Sequence, residues 1–196
     1  SDTASADQVW TATSATASDF QAAGGGTVLK VYTKMFAGGH SLSGTQAAGS
    51  PIAVSNYVSP TITPQSSSSK FVVQWTVSGN GGDNTFFYLA RDIGGAVTKV
   101  GMSGSNLKND IEYADWNSFV RFNATNNYPQ KTLTIYDAPA TASAIFYQLY
   151  YTQHGSTFYF GRSYTNSSSK QYSSLNSLII WELDGTNITN TYETSY

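Results

Sequence analysis

From Thr27 to Asp184 apolar and polar residues alternate with a period of two in short runs, the signature of strands that turn one face to a core and the other to water. The plainest run is Phe71-Val72-Val73-Gln74-Trp75-Thr76-Val77-Ser78, in which Phe71, Val73, Trp75 and Val77 share one face. The same pattern predicts strands over residues 27–36, 59–64, 69–78, 84–92, 96–101, 118–123, 131–137, 143–153, 157–164 and 176–184. Turn clusters separate them, among them Ala37-Gly38-Gly39-His40, Ser66 to Ser69, Gly79-Asn80-Gly81-Gly82-Asp83 and Thr165 to Lys170. No period of 20 to 50 residues repeats, which argues against a propeller or solenoid. An all-β fold is expected, a two-sheet antiparallel jelly-roll sandwich over residues 27–196 preceded by an extended N-terminal arm over residues 1–26.

Two runs break the one-face rule. In Leu175 to Gly185, Ile179, Trp181 and Leu183 point one way while Leu178 and Ile180 point the other. In Ala144 to Tyr151, Ile145, Tyr147, Leu149 and Tyr151 share one face while Phe146 and Tyr150 crowd the other. Two apolar faces imply two covers, and the expected second cover is another copy of the chain. Tyr147, Tyr150, Leu178, Ile180 and Glu182 are the expected contacts of a homotrimer; the competing reading is an aromatic-rich monomer core. Glu182 shares the face of Leu178 and Ile180, so its carboxylate is expected beside a cation, with Arg91, Arg121 and Arg162 as candidates, or at the rim. Asp184 follows at the strand end and is expected to cap the turn.

Residues 1–26 are small and polar around Val9, Trp10 and Phe20 and end in three glycines. Such a segment does not fold alone, but it can anchor those three side chains in a neighbouring surface; the competing reading is a disordered tail.

Charge narrows the partners. Ten Lys and Arg against twelve Asp and Glu leave a net charge of -2, and the basic residues are scattered, so no surface for nucleic-acid phosphates is expected. No stretch reaches the roughly 18 apolar residues of a membrane helix, so no membrane insertion is expected. The absence of cysteine removes disulfides, thiolate metal sites and a cysteine nucleophile.

Chemical motifs are sparse. Asp110, Glu112 and Asp115 form an oxygen-rich run but lack the glycine-centred calcium loop and read more simply as a solvated acidic edge. His40 and His154 sit in separate predicted turns with no ligand pattern joining them. Gly101-Met102-Ser103-Gly104 misses the nucleophile-elbow spacing, and no second carboxylate is placed beside Glu182 by any motif. Neither catalytic residues nor a metal or other cofactor are expected. Exposed aromatic rings that stack on sugars are expected at Tyr113, Trp116, Tyr128, Tyr164 and Tyr172, should the chain recognise a glycan on a host cell surface.

Four segments in order also carry a resemblance: Ile62 to Val73, Phe87-Tyr88-Leu89-Ala90-Arg91-Asp92, Tyr136 to Tyr147 and Ser177 to Leu183. Together they resemble a family of virion proteins from marine and freshwater tailed phages, jelly rolls similar to the trimeric heads of the complement and tumour-necrosis-factor group. The resemblance covers about Val28 to Gly185 and implies a homotrimer on the outside of a phage particle. Its partner would be the major capsid protein, if it decorates or cements the head, or a host glycan, if it tips a tail fibre or spike. The chain has no heptad region and no shaft repeat, which favours the head protein with the arm as its attachment. A free carbohydrate-binding or hydrolytic domain is the third class; hydrolysis would need two carboxylates in one groove.

Overall fold

The computed structural model describes residues 8–12, 18–22, 28–36, 40–43, 51–81, 85–100, 119–122, 129–153, 157–161 and 175–188. The alternating runs become antiparallel strands: β1 (Gln8–Ala12), β2 (Ser18–Ala22), β3 (Val28–Phe36), β4 (Ser41–Leu42), β5 (Ile52–Val58), β6 (Lys70–Gly81), β7 (Thr85–Ile93), β8 (Ala96–Lys99), β9 (Phe119–Phe122), β10 (Gln130–Asp137), β11 (Ile145–Gln153), β12 (Phe158–Phe160) and β13 (Asn176–Leu183). In one sheet β6 is flanked by β10 and β13, β3 lies outside β13, and β12 with β4 extends the C-terminal end of β6. In the other, β11 lies between β5 and β7, and β8 and β9 divide the far edge of β7 between them. From β5 to β6 to β7, and again from β10 to β11 to β13, the chain crosses between the sheets, the connectivity of a jelly-roll sandwich.

Alternation decides which side chains fill the space between the layers. From the first sheet come Phe71, Val73, Trp75, Val77, Leu178 and Ile180; from the second come Phe87, Leu89, Ile145, Tyr147 and Leu149, all buried. Aromatic rings bind the layers at one end: Tyr57 of β5 stacks on Phe36 and Phe160 of the opposite sheet at centroid distances of 4.7 and 4.3 Å, and Phe87 meets Phe158 edge-on at 5.1 Å.

The strand expected at 59–64 lies earlier in the chain, at β5. Pro60 and Pro64 lack the N–H that a ladder needs, so this stretch follows β5 as an extended segment, held to β11 by Ser59 N–H to the Tyr147 carbonyl (2.8 Å) and by a single bridge, Ile62 to Ile145. Inside the expected arm, β1 and β2 pair in register as a hairpin with Trp10 opposite Phe20, where a nearly structureless segment was expected.

Double coverage is fullest on β7, where it was not expected, and reaches the end of β11, where outward Tyr150 is half-buried and outward Thr152 is buried. Along β7 every residue from Thr85 to Ala90 is buried, and Phe86, Tyr88 and Ala90 form a second cluster on the outer face with half-buried Tyr150. On β13 the outward Ile179, Trp181 and Leu183 are only half-buried.

Glycine is required where backbones meet. The two-residue turn between β7 and β8 has Gly94 and Gly95 at φ of 59° and 91°, the left-handed conformation that tight hairpins need, and Gly95 N–H donates to the Asp92 side chain at 2.7 Å. At Gly79 a Cβ would collide with the Tyr159 carbonyl and the Phe158 ring of β12. Gly79→Ala is therefore expected to destabilise the fold by about 1–3 kcal/mol, the usual effect of overpacking a well-packed core, measured as a lower midpoint in chemical denaturation.

Candidate functional site

At the end of the sandwich remote from the ring stack, the ladder sets Lys30, Glu182, Phe71 and Asp137 in one row across β3, β13, β6 and β10. Glu182 and Asp137 thus face the interior on either side of Phe71. Their Cα atoms lie two strand spacings apart, about 10 Å. Sequence motifs place no second carboxylate beside Glu182; only strand pairing brings Asp137 to this row from 45 positions away.

Each carboxylate is already filled. Glu182, fully buried, accepts from Gln65 N–H (2.6 Å), Ser69 Oγ (2.8 Å) and Tyr32 Oη (3.2 Å). Among the described residues these donors are neutral, and neither Arg91 nor Arg121 is one of them: a backbone amide and two hydroxyls meet the carboxylate, and the same contacts hold the Gln65–Ser69 turn against the sheet. Asp137 accepts both oxygens' worth of bonds from Arg91 Nη1 (2.5 and 2.6 Å) and a further bond from Tyr147 Oη (2.8 Å). Arg91 therefore pairs with Asp137, and Arg121 lies over the Phe86 ring at 5.7 Å. Arg162 lies outside the described residues.

Since Asp137 belongs to one sheet and Arg91 and Tyr147 to the other, the cluster is a polar clamp across the sandwich. Burial, and then the Asp137 charge, hold the Tyr147 phenol protonated well above its ordinary range. A second clamp lies near the ring stack, where Asn176 Oδ1 accepts from Ser78 N–H and Oγ at 2.5 and 3.1 Å and Nδ2 donates to Tyr57 Oη at 3.0 Å. Asp184 caps the 3-10 turn that follows β13, accepting from Thr186 N–H and Oγ1, and these bonds lower its pKa.

Four of the five expected trimer contacts lie inside their own chain, and the fifth, Tyr150, is half-buried. Tyr147, Leu178, Ile180 and Glu182 are already buried by their own chain, because the clamp and the inner face of β13 consume them, and Tyr150 packs on the Phe86–Tyr88 cluster. Among the described residues, apolar side chains also reach solvent on the outer face of β3, β13 and β6. There Val31, Trp181 and Val72 lie in one cross-strand row, with Ile179 and Leu183 to either side on β13, and Val28, Val31 and Met35 are 50%, 48% and 59% exposed. The sequence signal for this face was the Ile179, Trp181 and Leu183 side of the last strand.

The side chains of Val9, Trp10 and Phe20 lie outside the described residues, as do Tyr113, Trp116, Tyr128, Tyr164 and Tyr172, the acidic run Asp110, Glu112 and Asp115, and His154. His40 is half-buried beside the stacked Tyr57 and Phe160 rings, at 6.3 and 5.9 Å.

No family model matches the sequence, and no curated protein matches it. Among solved structures the chain is similar to one from the structure of infectious bursal disease virus Gx strain, at a TM-score of 0.42 and 8% identity, over 91% of this chain. It spans 38% of that chain's length.

Removing Arg91 as Arg91→Met strands the buried Asp137 and is expected to cost about 3–5 kcal/mol in chemical denaturation, against about 1–2 kcal/mol for Tyr147→Phe. Alkali provides an independent check. Below pH about 10 the tyrosines are protonated in both states; above it the unfolded chain releases phenolic protons that Tyr147, and Tyr57 with its pKa pushed up to about 12 by burial, retain when folded. Stability is thus expected to hold up to pH about 10 and fall beyond it, with phenolate absorbance from Tyr57 appearing only on unfolding or near pH 12, and that from Tyr147 only on unfolding.

Proposed function

We propose that the chain is a non-enzymatic structural protein of a phage particle: a homotrimer that binds the outside of the head shell, cements it through the major capsid protein, and attaches by its N-terminal hairpin segment. The observation that carries this reading is the apolar outer face of β3, β13 and β6, with Val28, Val31 and Met35 exposed beside Trp181. An apolar row on a sheet face in water favours association, and covering it is the chemistry of assembly. Three strands at about 4.8 Å spacing and eight residues at about 3.3 Å make a face of roughly 380 Å², short of the roughly 800 Å² per partner of a standard interface. A ring of three copies supplies the rest, since each subunit offers this face to one neighbour and a different surface to the other. The order of the four sequence segments that resemble tailed-phage virion jelly rolls supports the same reading.

The two carboxylates, Asp137 and Glu182, serve as clamps in this reading. Their lone pairs are taken by Arg91, Tyr147, Ser69, Tyr32 and the Gln65 amide, which leaves them occupied with holding the sandwich.

Light scattering on the purified chain is expected to return roughly three times 21.1 kDa, and Val31→Asp, which puts a charge in the centre of the face, is expected to return the monomer with an unchanged far-ultraviolet spectrum. A monomeric parent chain would remove the trimer. Gold labelling of intact virions is expected to decorate the head and to be lost, with the trimer intact, when residues 1–26 are deleted. Label confined to fibre or spike tips would make this a receptor-binding protein and direct attention to host glycans.

A further inference from the structure

Near the ring stack, at the end of the sandwich where β6 leads into β7 and β11 into β12, two buried polar side chains face each other across the ladder. Thr85 opens β7 and Gln153 closes β11; they are register partners, and Phe122 of β9 pairs with Thr85 on its other side. Alternation puts both on the inward faces, Thr85 in line with Phe87 and Leu89, Gln153 in line with Leu149 and Tyr151. Thr85 is 0% exposed and Gln153 1%. Among the described residues Thr85 Oγ1 has no hydrogen-bond partner, and neither has Gln153 Oε1 or Nε2.

Most other buried polar side chains among the described residues are bonded. Ser59, Ser69, Ser78, Asn176, Asp137 and Glu182 are buried and bonded, and Thr152, next to Gln153 but on the opposite face of β11, shares a hydrogen bond with Tyr88 at 3.0 Å. Trp75 Nε1 and Arg91 Nε also lack partners, but each is a single donor on a side chain that is otherwise packed or paired. Only the Thr85–Gln153 pair brings two donors and an acceptor of an amide and both functions of a hydroxyl to one place with nothing to meet them.

We infer that Thr85 and Gln153 form a built-in internal water site holding one or two ordered molecules between the sheets. Directly opposed residues have Cβ atoms about 4.5–5.5 Å apart, and the glutamine side chain is longer, so its amide reaches past the threonine hydroxyl toward the neighbouring layer. A water there finds the two to four polar partners that buried waters require. The donor set selects this guest: it carries no charge to hold an anion, and two neutral oxygens fall far short of the six to eight that calcium takes. The adjoining rings of Phe87, Phe122 and Phe158, edge to face at 5.1–5.6 Å, offer no competing hydrogen bond.

A high-resolution crystal structure of the full chain tests this. Density for a water within hydrogen-bond distance of both the Gln153 amide and Thr85 Oγ1 is expected; an amide bonded directly to Thr85 or to a neighbouring loop, or an empty site, overturns the inference. Thermal denaturation gives a second readout whose sign differs between the cases. With water present, Gln153→Leu strands the Thr85 hydroxyl and lowers Tm, and the double variant Thr85→Val/Gln153→Leu recovers part of the loss. With no water, Gln153→Leu removes an unpaired buried amide and raises Tm, which overturns it independently of the crystal.

Discussion

The contact on which the two layers depend is the meeting of Asp137 with Arg91 and Tyr147. It joins the last residue of β10 to the inward faces of β7 and β11, so the sheets cannot slide or part at that end without exposing a buried charge to an apolar interior. Hydrophobic burial drives the sheets together but is non-directional. A carboxylate that needs both Arg91 and Tyr147 is directional, and with the Asn176 bridge at the opposite end it fixes one alignment of the sandwich.

That division of labour separates inside from outside. The inward rows of the first sheet hold Phe71 and Trp75 and both buried carboxylates, each satisfied by its own chain. The outer face of β3, β13 and β6 carries the apolar row Val31, Trp181 and Val72 with Ile179, Leu183, Val28 and Met35 around it, and the polar Thr33, Ser177, Gln74 and Thr76 beside them. A protein whose buried carboxylates are spent internally and whose exposed sheet carries an apolar row is suited to assembly, the property on which the proposed role on a virion shell rests.

The period-two runs made most of the strands legible, because alternation is local and survives in any sheet that buries one face. The inward set Phe71, Val73, Trp75 and Val77 was readable outright, as was the capping role of Asp184. β5 was not: Ile-Ala-Val-Ser-Asn-Tyr-Val alternates poorly, and the apolar residues after it drew the eye past prolines that end the ladder. The N-terminal hairpin was missed for a related reason, since its strands are rich in small polar residues with little strand signature.

By itself the sequence determined the all-β class, the spacing of the strands and the presence of two apolar faces on the last one. Which of those faces is core was decided only by tertiary structure, because period-two patterning distinguishes the sides of a strand without saying which side another layer covers. The partners of Glu182 and Asp137 were settled the same way. Residues 32, 65, 69 and 182, or 91, 137 and 147, are brought together by strand order, and strand order is a property of long-range pairing that no local pattern encodes.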